Sequence, residues 1–184
     1  MTEFNEEVLI IIKNNKINKR EKLAQILDKI IKYCQIEKNS YFILGSYALV
    51  LAAPEKRQIS DLDINMRSKE WHKLKKLVDI KIGKFEVYNN QDRWFYDMTE
   101  EYKKYVDPSA TDFSIEVFNK RINTGFPSSH FSLKYLSEHR GLAKDSLGHQ
   151  YFSLKTLLNW KKAMNREKDQ KDIEILSKLL KLNK

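Results

Sequence analysis

The order of apolar patterns along the chain predicts an α+β fold, with a small mixed β-sheet flanked by helices and a C-terminal helical subdomain. Apolar residues at helical spacing occur near both ends, and short apolar or alternating runs typical of strands occupy the middle. Only 5 glycines and 3 prolines interrupt the 184 residues. We expect an α/β core with N-terminal helices over residues 1–125, and a helical subdomain packed on it over residues 126–184.

The chain is expected to begin with two helices. Apolar residues recur at three- and four-residue steps between Leu23 and Cys34, which predicts an amphipathic helix over residues 20–36. A weaker pattern predicts a helix over residues 3–13. Cys34 lies on the apolar face of the second helix and is the only cysteine, so we expect a buried, inert thiol and no disulfide framework.

The centre of the chain carries the predicted strands. A short apolar run over residues 41–44 predicts a strand that ends at Gly45, and residues 47–53 suit a short helix. Asp61 to Met66 predicts the next strand, and Ser68 is a candidate cap for a helix that continues to about Leu77.

A period of two then predicts strands between residues 79 and 98, with a turn at Asn89-Asn90, and a further strand over residues 113–118. After a turn at Gly125-Phe126-Pro127, helices are predicted near 130–137, 153–165 and 168–182.

Asp61 and Asp63 form a candidate metal site. Residues at i and i+2 of a strand project to the same face, so both carboxylates would lie together while Leu62 and Ile64 enter the core. Unpaired negative charge beside apolar residues is costly, which favours a bound cation over an exposed strand end. Mg²⁺ prefers such hard oxygen ligands, together with phosphates and water.

A third carboxylate would extend this site. Glu116 lies between Ile115 and Val117 in an apolar strand, and Asp112 lies on the same face four residues earlier. Four strand residues span about 13 Å, so only one of the two acids is expected at the metal site, and Glu116 fits best. The alternative for Glu116 is a solvent-facing position on a half-exposed strand.

Gly45 and Ser46 are candidates for binding phosphate. Glycine lets the backbone approach an anion closely, and the N–H groups at the start of the next helix point toward it. Ser46 adds a hydroxyl donor. The alternative is an ordinary strand-to-helix turn in which Ser46 caps the helix.

Lys161 stands where the apolar helical pattern predicts an inward-facing residue, and Asp169 and Asp172 share the apolar face of the next helix. These charges indicate either a buried ion pair or polar groups lining a cleft. In the second case Lys161, Arg166 and Lys168 could reach a triphosphate. For Trp94 and its aromatic neighbours, packing within the sheet is favoured over stacking on a base.

Composition narrows the class of protein. The net charge of +9 favours anionic partners such as nucleotides or nucleic acid, although the charge is spread along the chain. The longest apolar stretches are too short or interrupted to span a bilayer, and the acidic N-terminal segment is unlike a signal peptide. We therefore expect a cytoplasmic protein that does not interact with a membrane.

Three runs together resemble the DNA polymerase β-like nucleotidyltransferase superfamily: Phe42-Ile43-Leu44-Gly45-Ser46, Asp61-Leu62-Asp63-Ile64 and Ile115-Glu116-Val117. The pattern of that superfamily is a strand, Gly-Gly or Gly-Ser, a short helix, Asp-x-Asp or Asp-x-Glu, and a later strand carboxylate. The tail from Lys161 through Arg166 to Asp172 also looks like the helices of small bacterial members, among them the abortive-infection toxin type and the lincosamide and aminoglycoside nucleotidyltransferases. The resemblance covers residues 40–118 by motif and 153–173 more loosely.

This resemblance implies Mg²⁺-dependent transfer of a nucleoside monophosphate from an NTP such as ATP to a hydroxyl or phosphate. The acceptor class stays open between nucleic acid such as tRNA, a protein and a small molecule. Asp61, Asp63 and Glu116 would hold Mg²⁺, with Mn²⁺ as a substitute, and Gly45 and Ser46 would steady the triphosphate. The alternatives are a non-catalytic module of the same fold that binds nucleic acid or a protein, and a toxin–antitoxin component.

Overall fold

The computed structural model describes residues 2–119 and 132–182, in which a seven-stranded mixed sheet is flanked by helices, as the predicted α+β class requires. The helices are α1 (Glu3–Lys13), α2 (Lys19–Tyr33), α3 (Tyr47–Ala52), α4 (Ser68–Trp71), α5 (Lys75–Asp79), α6 (Thr99–Tyr105), α7 (Leu133–Glu138), α8 (Leu154–Met164) and α9 (Gln170–Leu182). The strands are β1 (Tyr41–Ile43), β2 (Asp61–Met66), β3 (Lys84–Tyr88), β4 (Gln91–Asp97), β5 (Ser114–Phe118), β6 (Leu142–Lys144) and β7 (Gln150–Phe152).

The strand order is β3-β4-β5-β2-β1-β7-β6. β2 pairs in parallel with β5, and β1 pairs in parallel with β7, whereas the other neighbours are antiparallel. The β2–β5 register places Asp63 opposite Glu116 and Asp61 opposite Ser114. The two central strands therefore bring acidic residues from distant parts of the sequence side by side.

The two faces of the β2–β5 pair have opposite character because strand side chains alternate. Leu62, Ile64, Ile115 and Val117 are fully buried and belong to a core that also includes the apolar faces of α1 and α2. On β2 the intervening residues are only partly buried. The predicted alternation is confirmed on β2, whereas on β5 every residue except Glu116 is buried. On both strands the acidic side chains lie on the face opposite this core.

The first two helices are well terminated. Asn18 forms a capping box with Glu21 at the start of α2, and Thr2 caps α1. The buried ammonium group of Lys22 donates to the Ile12 carbonyl near the end of α1. These contacts hold the short connection between α1 and α2 against the body of the protein.

The C-terminal segment contributes to the sheet as well as to the helical layer. β7 lies beside β1, and the Phe42 and Phe152 rings stack with centroids 5.3 Å apart. A second core cluster joins residues of β1 and α3 to Trp160 of α8 and Leu176 of α9. The sequence predicts only helices here, because β6 and β7 are three residues long and, unlike β1, lack a continuous apolar run.

Several local predictions can be compared with the structure. Cys34 is buried, and burial raises the pKa of its thiol to about 11, as expected for an inert group. Ser68 is the first residue of α4 rather than its cap, because the capping position is occupied by Arg67.

Three predictions lie outside the described residues: the turn at 125–127, the domain boundary between 125 and 126, and the start of the helix near 130. Among the described helices, none is both long and apolar enough to cross a membrane.

Candidate metal centre

Three carboxylates from the two central strands form a compact cluster. Asp61 and Asp63 lie on β2, and Glu116 lies on β5 opposite Asp63. One oxygen from each carboxylate can be chosen so that all three lie within 4.8 Å of one another. Asp112, the alternative third acid, is outside this set; it precedes β5 and accepts a hydrogen bond from the Ser114 hydroxyl. The structure therefore brings together the three residues that the sequence favours.

The cluster concentrates negative charge in a partly buried place. Burial, followed by repulsion from Asp61 and Glu116, raises the pKa of Asp63 to about 7. Burial also raises the pKa of Glu116, despite the neighbouring Arg93. A divalent cation would relieve this repulsion, and carboxylate oxygens are the ligands that Mg²⁺ prefers. The donor set therefore fits Mg²⁺, and Mn²⁺ in its place.

Arg93 is a member of the site that sequence reasoning did not assign. Its Nη1 donates to Glu116 Oε2 at 2.7 Å, and its Nη2 pairs with Glu86. The guanidinium group lies over the rings of Tyr88 and Phe95, 4.2 and 4.5 Å from their centroids. These contacts fix one oxygen of Glu116. The signal in the sequence is an arginine in an alternating strand, but its partner depends on the β4–β5 register.

Gly45 lies directly against Asp63. Its φ of +71° is in the left-handed region, and a Cβ placed there would lie 3.0 Å from Asp63 Oδ2. The preceding residue, Leu44, donates its N–H to the Asp63 carbonyl at 2.9 Å. The close approach of this turn to the carboxylate therefore depends on glycine.

Ser46 occupies the capping position of α3, but its hydroxyl makes no capping hydrogen bond. Instead, its Oγ donates to Asp172 Oδ2 at 3.4 Å, which connects the turn to α9. α3 has only six residues, so its end contributes a weak dipole. The contact with Asp172 is the specific feature of Ser46.

Lys161 takes the first of its two predicted alternatives, a buried ion pair. It is 2% exposed, and its Nζ lies 2.7 Å from Asp169 Oδ1 and 2.9 Å from Asp172 Oδ2. It is therefore buried between two helices rather than presented to a cleft. Its charge holds Asp172, which in turn contacts Ser46. Arg57 lies on the other side of the same carboxylate, with its Nε 3.7 Å from Asp172 Oδ1.

Arg166 and Lys168 lie between α8 and α9, and their charges oppose in part the rise in the pKa of Asp63 that burial and the neighbouring carboxylates cause. Arg166 Nε donates to Asp169 Oδ2 at 2.5 Å, and 36% of its side chain is exposed. Lys168 is exposed. Both cationic side chains are therefore accessible to solvent, whereas that of Lys161 is buried.

The described residues place an acidic cation site beside a glycine turn, with two accessible cationic side chains near it. Such an arrangement can hold a divalent cation and a polyphosphate at the same time. The acidic cluster with its glycine turn and the two cationic side chains come from separate parts of the chain. The hydrogen bond between Ser46 and Asp172 connects these two parts. In comparisons with protein-family models, with curated proteins and with solved structures, nothing matches this chain.

Proposed function

We propose that this protein is an Mg²⁺-dependent nucleotidyltransferase, which moves a nucleoside monophosphate from an NTP to a hydroxyl or phosphate acceptor. The observation that supports this most is the cluster of Asp61, Asp63 and Glu116, whose carboxylate oxygens lie within 4.8 Å beside Gly45. Three hard ligands from adjacent strands suit metal-assisted phosphoryl transfer better than a purely structural ion pair. The resemblance of the same residues to the polymerase β-like pattern supports the same assignment.

Each residue has a defined part in this proposal. Asp61, Asp63 and Glu116 hold Mg²⁺, which when bound neutralises charge on the reacting phosphates. Arg93 orients Glu116 through its hydrogen bond. Arg166 and Lys168 contact the triphosphate. Gly45 lets the backbone pass close to Asp63 without displacing its carboxylate. Lys161 is a positioning residue, because it acts on Ser46 through Asp172.

The transfer is a substitution at the α-phosphorus. With a hydroxyl acceptor, the acceptor oxygen forms a bond to this phosphorus, and the bond to the oxygen that bridges to the β-phosphate breaks. Pyrophosphate leaves with that bonding pair. The acceptor proton passes to the Asp61 carboxylate. The residues of the chain contribute orientation and charge, which are the principal sources of catalysis in this chemistry.

The first prediction concerns Asp63→Asn, which keeps the shape of the side chain and removes its charge. We expect it to lower NMP transfer at least about 100-fold, because loss of a ligand exceeds the typical effect of an outer-shell change. The measurement is incubation with each α-labelled NTP, Mg²⁺ and candidate acceptors, followed by mass spectrometry for a gain of one NMP.

Asp112→Asn is the matched control, because it removes an equal charge near the cluster and leaves all three ligands in place. We expect transfer close to that of the wild type. Without metal, Asp63→Asn should be at least as stable as the wild type, since it relieves repulsion among the carboxylates. Equal labelling by wild type and Asp63→Asn would contradict the proposal and favour the non-catalytic alternative.

A further inference from the structure

A basic surface with interleaved aromatic rings leads toward the carboxylate cluster from the α1–α2 connection. No acidic residue occurs from residue 8 to residue 20, whereas this stretch contains Lys13, Lys16, Lys19 and Arg20. Lys13 and Lys16 are exposed. The capping box at Asn18 and the buried contact of Lys22 hold this segment in place. Its positive charge is therefore presented by an ordered part of the chain.

Aromatic rings of α6 lie beside these cations. Lys13 Nζ is 4.2 Å from the centroid of the Tyr105 ring, and Lys104 Nζ is 5.1 Å from the same centroid. Tyr105 is 37% exposed. One turn earlier on α6, the Tyr102 ring lies 5.2 Å from Lys19 Nζ, but it is buried against Phe113, so Tyr105 is the ring of this pair that is exposed for stacking. Alternating cations and rings are the features that bind single-stranded nucleic acid, through its phosphates and its bases respectively.

The surface continues into a cavity of about 380 Å³ near the start of β2. Lys19, Arg20 and Arg57 line it, together with Tyr102, and Asp107 is the single acidic residue in its lining. A surplus of positive charge in a concave site favours an anionic ligand. The cavity has room for a nucleotide-sized group rather than a large folded partner.

Two residues connect this cavity to the candidate site. Lys19 Nζ donates at 2.6 Å to the carbonyl of Asp112, two residues before β5, and the first residue of β5, Ser114, lies opposite Asp61 in the sheet. Arg57 reaches toward Asp172, the residue that contacts Ser46. A strand lying along the basic surface would therefore end at the carboxylates.

We infer that residues 13–20, Lys104 and Tyr105 at the end of α6, and this cavity bind single-stranded nucleic acid and direct its terminal hydroxyl to Asp61. The role of the bound strand as acceptor rests on the proposed transfer activity, whereas binding itself does not. When the strand is the acceptor, its terminal hydroxyl oxygen forms a bond to the α-phosphorus of the NTP, and the bond from that phosphorus to pyrophosphate breaks. Pyrophosphate leaves, and the proton of the terminal hydroxyl passes to Asp61. The product is the strand lengthened by one nucleotide.

The test measures binding without NTP or divalent metal, by fluorescence anisotropy of an end-labelled single strand, with RNA in one arm and DNA in the other. Lys13→Ala/Lys16→Ala should weaken binding and reduce the slope of log affinity against log salt by about 1.4, or about 0.7 for each lost phosphate contact. Tyr105→Ala should weaken binding about fivefold or more through lost stacking. A duplex of the same sequence should compete poorly.

Lys75→Ala/Lys76→Ala is the matched control, since it removes the same charge from two exposed lysines. Lys76 lies near Cys34, at the far end of α2 from Lys19, and a helix of 15 residues is about 22 Å long. Its affinity and salt slope should equal those of the wild type. Equal weakening by both double variants, or no binding by the wild type at low salt, would overturn the inference.

Extension assays then separate this inference from the proposed function. A strand that binds and gains one NMP supports both. A strand that binds while NMP is transferred only to other acceptors overturns its role as acceptor. Binding that follows the predicted pattern, with no NMP transfer to any acceptor, supports the nucleic-acid surface and contradicts the nucleotidyltransferase.

Discussion

Gly45 and Asp63 constrain each other at the centre of the candidate site. The left-handed turn allows the backbone to pass Asp63, and a Cβ there would meet a carboxylate oxygen at 3.0 Å. A larger residue would have to displace that carboxylate from its neighbours. The geometry of the carboxylate cluster thus depends on the absence of a side chain at Gly45, next to the neighbouring strand β1.

This dependence can be tested with Gly45→Ala and Gly148→Ala. Both glycines have positive φ, so both variants should lose about 1 kcal/mol of folding stability from left-handed backbone. Of the two added methyl groups, only the one at Gly45 would touch the carboxylate cluster. The one at Gly148 would meet the Lys38 side chain at 3.6 Å, an ordinary van der Waals distance. We expect Gly45→Ala to lower NMP transfer about tenfold or more, and Gly148→Ala to leave it close to the wild type.

The measurements are urea unfolding and transfer rates on the same preparations. If the two variants lose activity equally, contact with Asp63 does not explain the role of Gly45, and backbone strain is the cause instead.

At the level of single residues, the sequence is sufficient to predict the three clustered carboxylates but not the residues that hold them in place. Asp61, Asp63 and Glu116 could be predicted because period-two alternation decides which face a strand residue occupies. Arg93 could not, because its contact with Glu116 depends on how β4 and β5 pair. Lys161 could be predicted to face inward, whereas the choice between ion pair and cleft required the positions of Asp169 and Asp172.

The pair α8–α9 supports the site through a buried charge network. Lys161 forms ion pairs with Asp169, which directly precedes α9, and with Asp172 of α9. Asp172 also accepts a hydrogen bond from Ser46, which extends the network to the glycine turn. Burial alone would raise the pKa of Asp169, but hydrogen bonds from Arg166 and Lys161 hold it below its usual range. Asp169 is therefore a carboxylate that the folded state keeps ionised.

The sign of the resulting pH dependence follows from linkage. A folded-state pKa below the unfolded value, about 3.9, stabilises the protein at pH values above that unfolded value. The stabilisation is lost as the pH falls through the lower, folded-state pKa. Asp169→Asn should therefore lower the free energy of unfolding at pH 7 by about 3 kcal/mol, and by progressively less below pH of about 4.

Urea unfolding of both proteins across this pH range checks the prediction. Glu174→Gln is a suitable control, because its pair with Lys178 is exposed and should contribute little. A difference between Asp169→Asn and wild type that stays constant down to the most acidic pH would contradict the role assigned to Asp169.

Among the elements, segments with a clear apolar run or several repeats of one period are predictable, including the short β1 and α3, whereas β6 and β7 are not. α1, α2, β2 and the β3–β4 hairpin agree closely with their sequence patterns, because each repeats its period several times. β6 and β7 have three residues each; β7 is a strand because it pairs with β1, and β6 because it pairs with β7. Their structure is set by tertiary pairing, which a local pattern does not contain.

Across the whole molecule, strands that lie far apart in the sequence, from Tyr41 to Phe152, complete one sheet. Tyr41 and Phe42 of β1 are fully buried, and they contact His149 and Phe152 from the C-terminal segment. The His149 ring accepts from the Tyr41 hydroxyl at 2.6 Å when its Nε2 donates to the Ala24 carbonyl. The N-terminal half therefore depends on later residues to cover its central strands.

This dependence predicts the behaviour of a fragment that contains residues 1–125. We expect it to lack a cooperative unfolding transition, because separation would expose the β1 residues that β7 and α8 cover in the intact chain. Circular dichroism during urea titration checks this, and addition of a fragment with residues 126–184 should restore the transition. A cooperative transition in the first fragment alone would show that it folds independently.

The parallel pairing of β2 with β5 has a consequence for how the proposed transfer activity would decline in destabilised variants. Alternate residues of the same two strands form the acidic cluster and the apolar core, so a slip of one residue would move the carboxylates into the core. The carboxylate cluster can therefore form only in the β2–β5 register that the core permits. A chain in which these strands are shifted by one residue would lack the cluster altogether. Destabilising substitutions far from the cluster should reduce the number of competent molecules, while each molecule that remains folded works at the full rate.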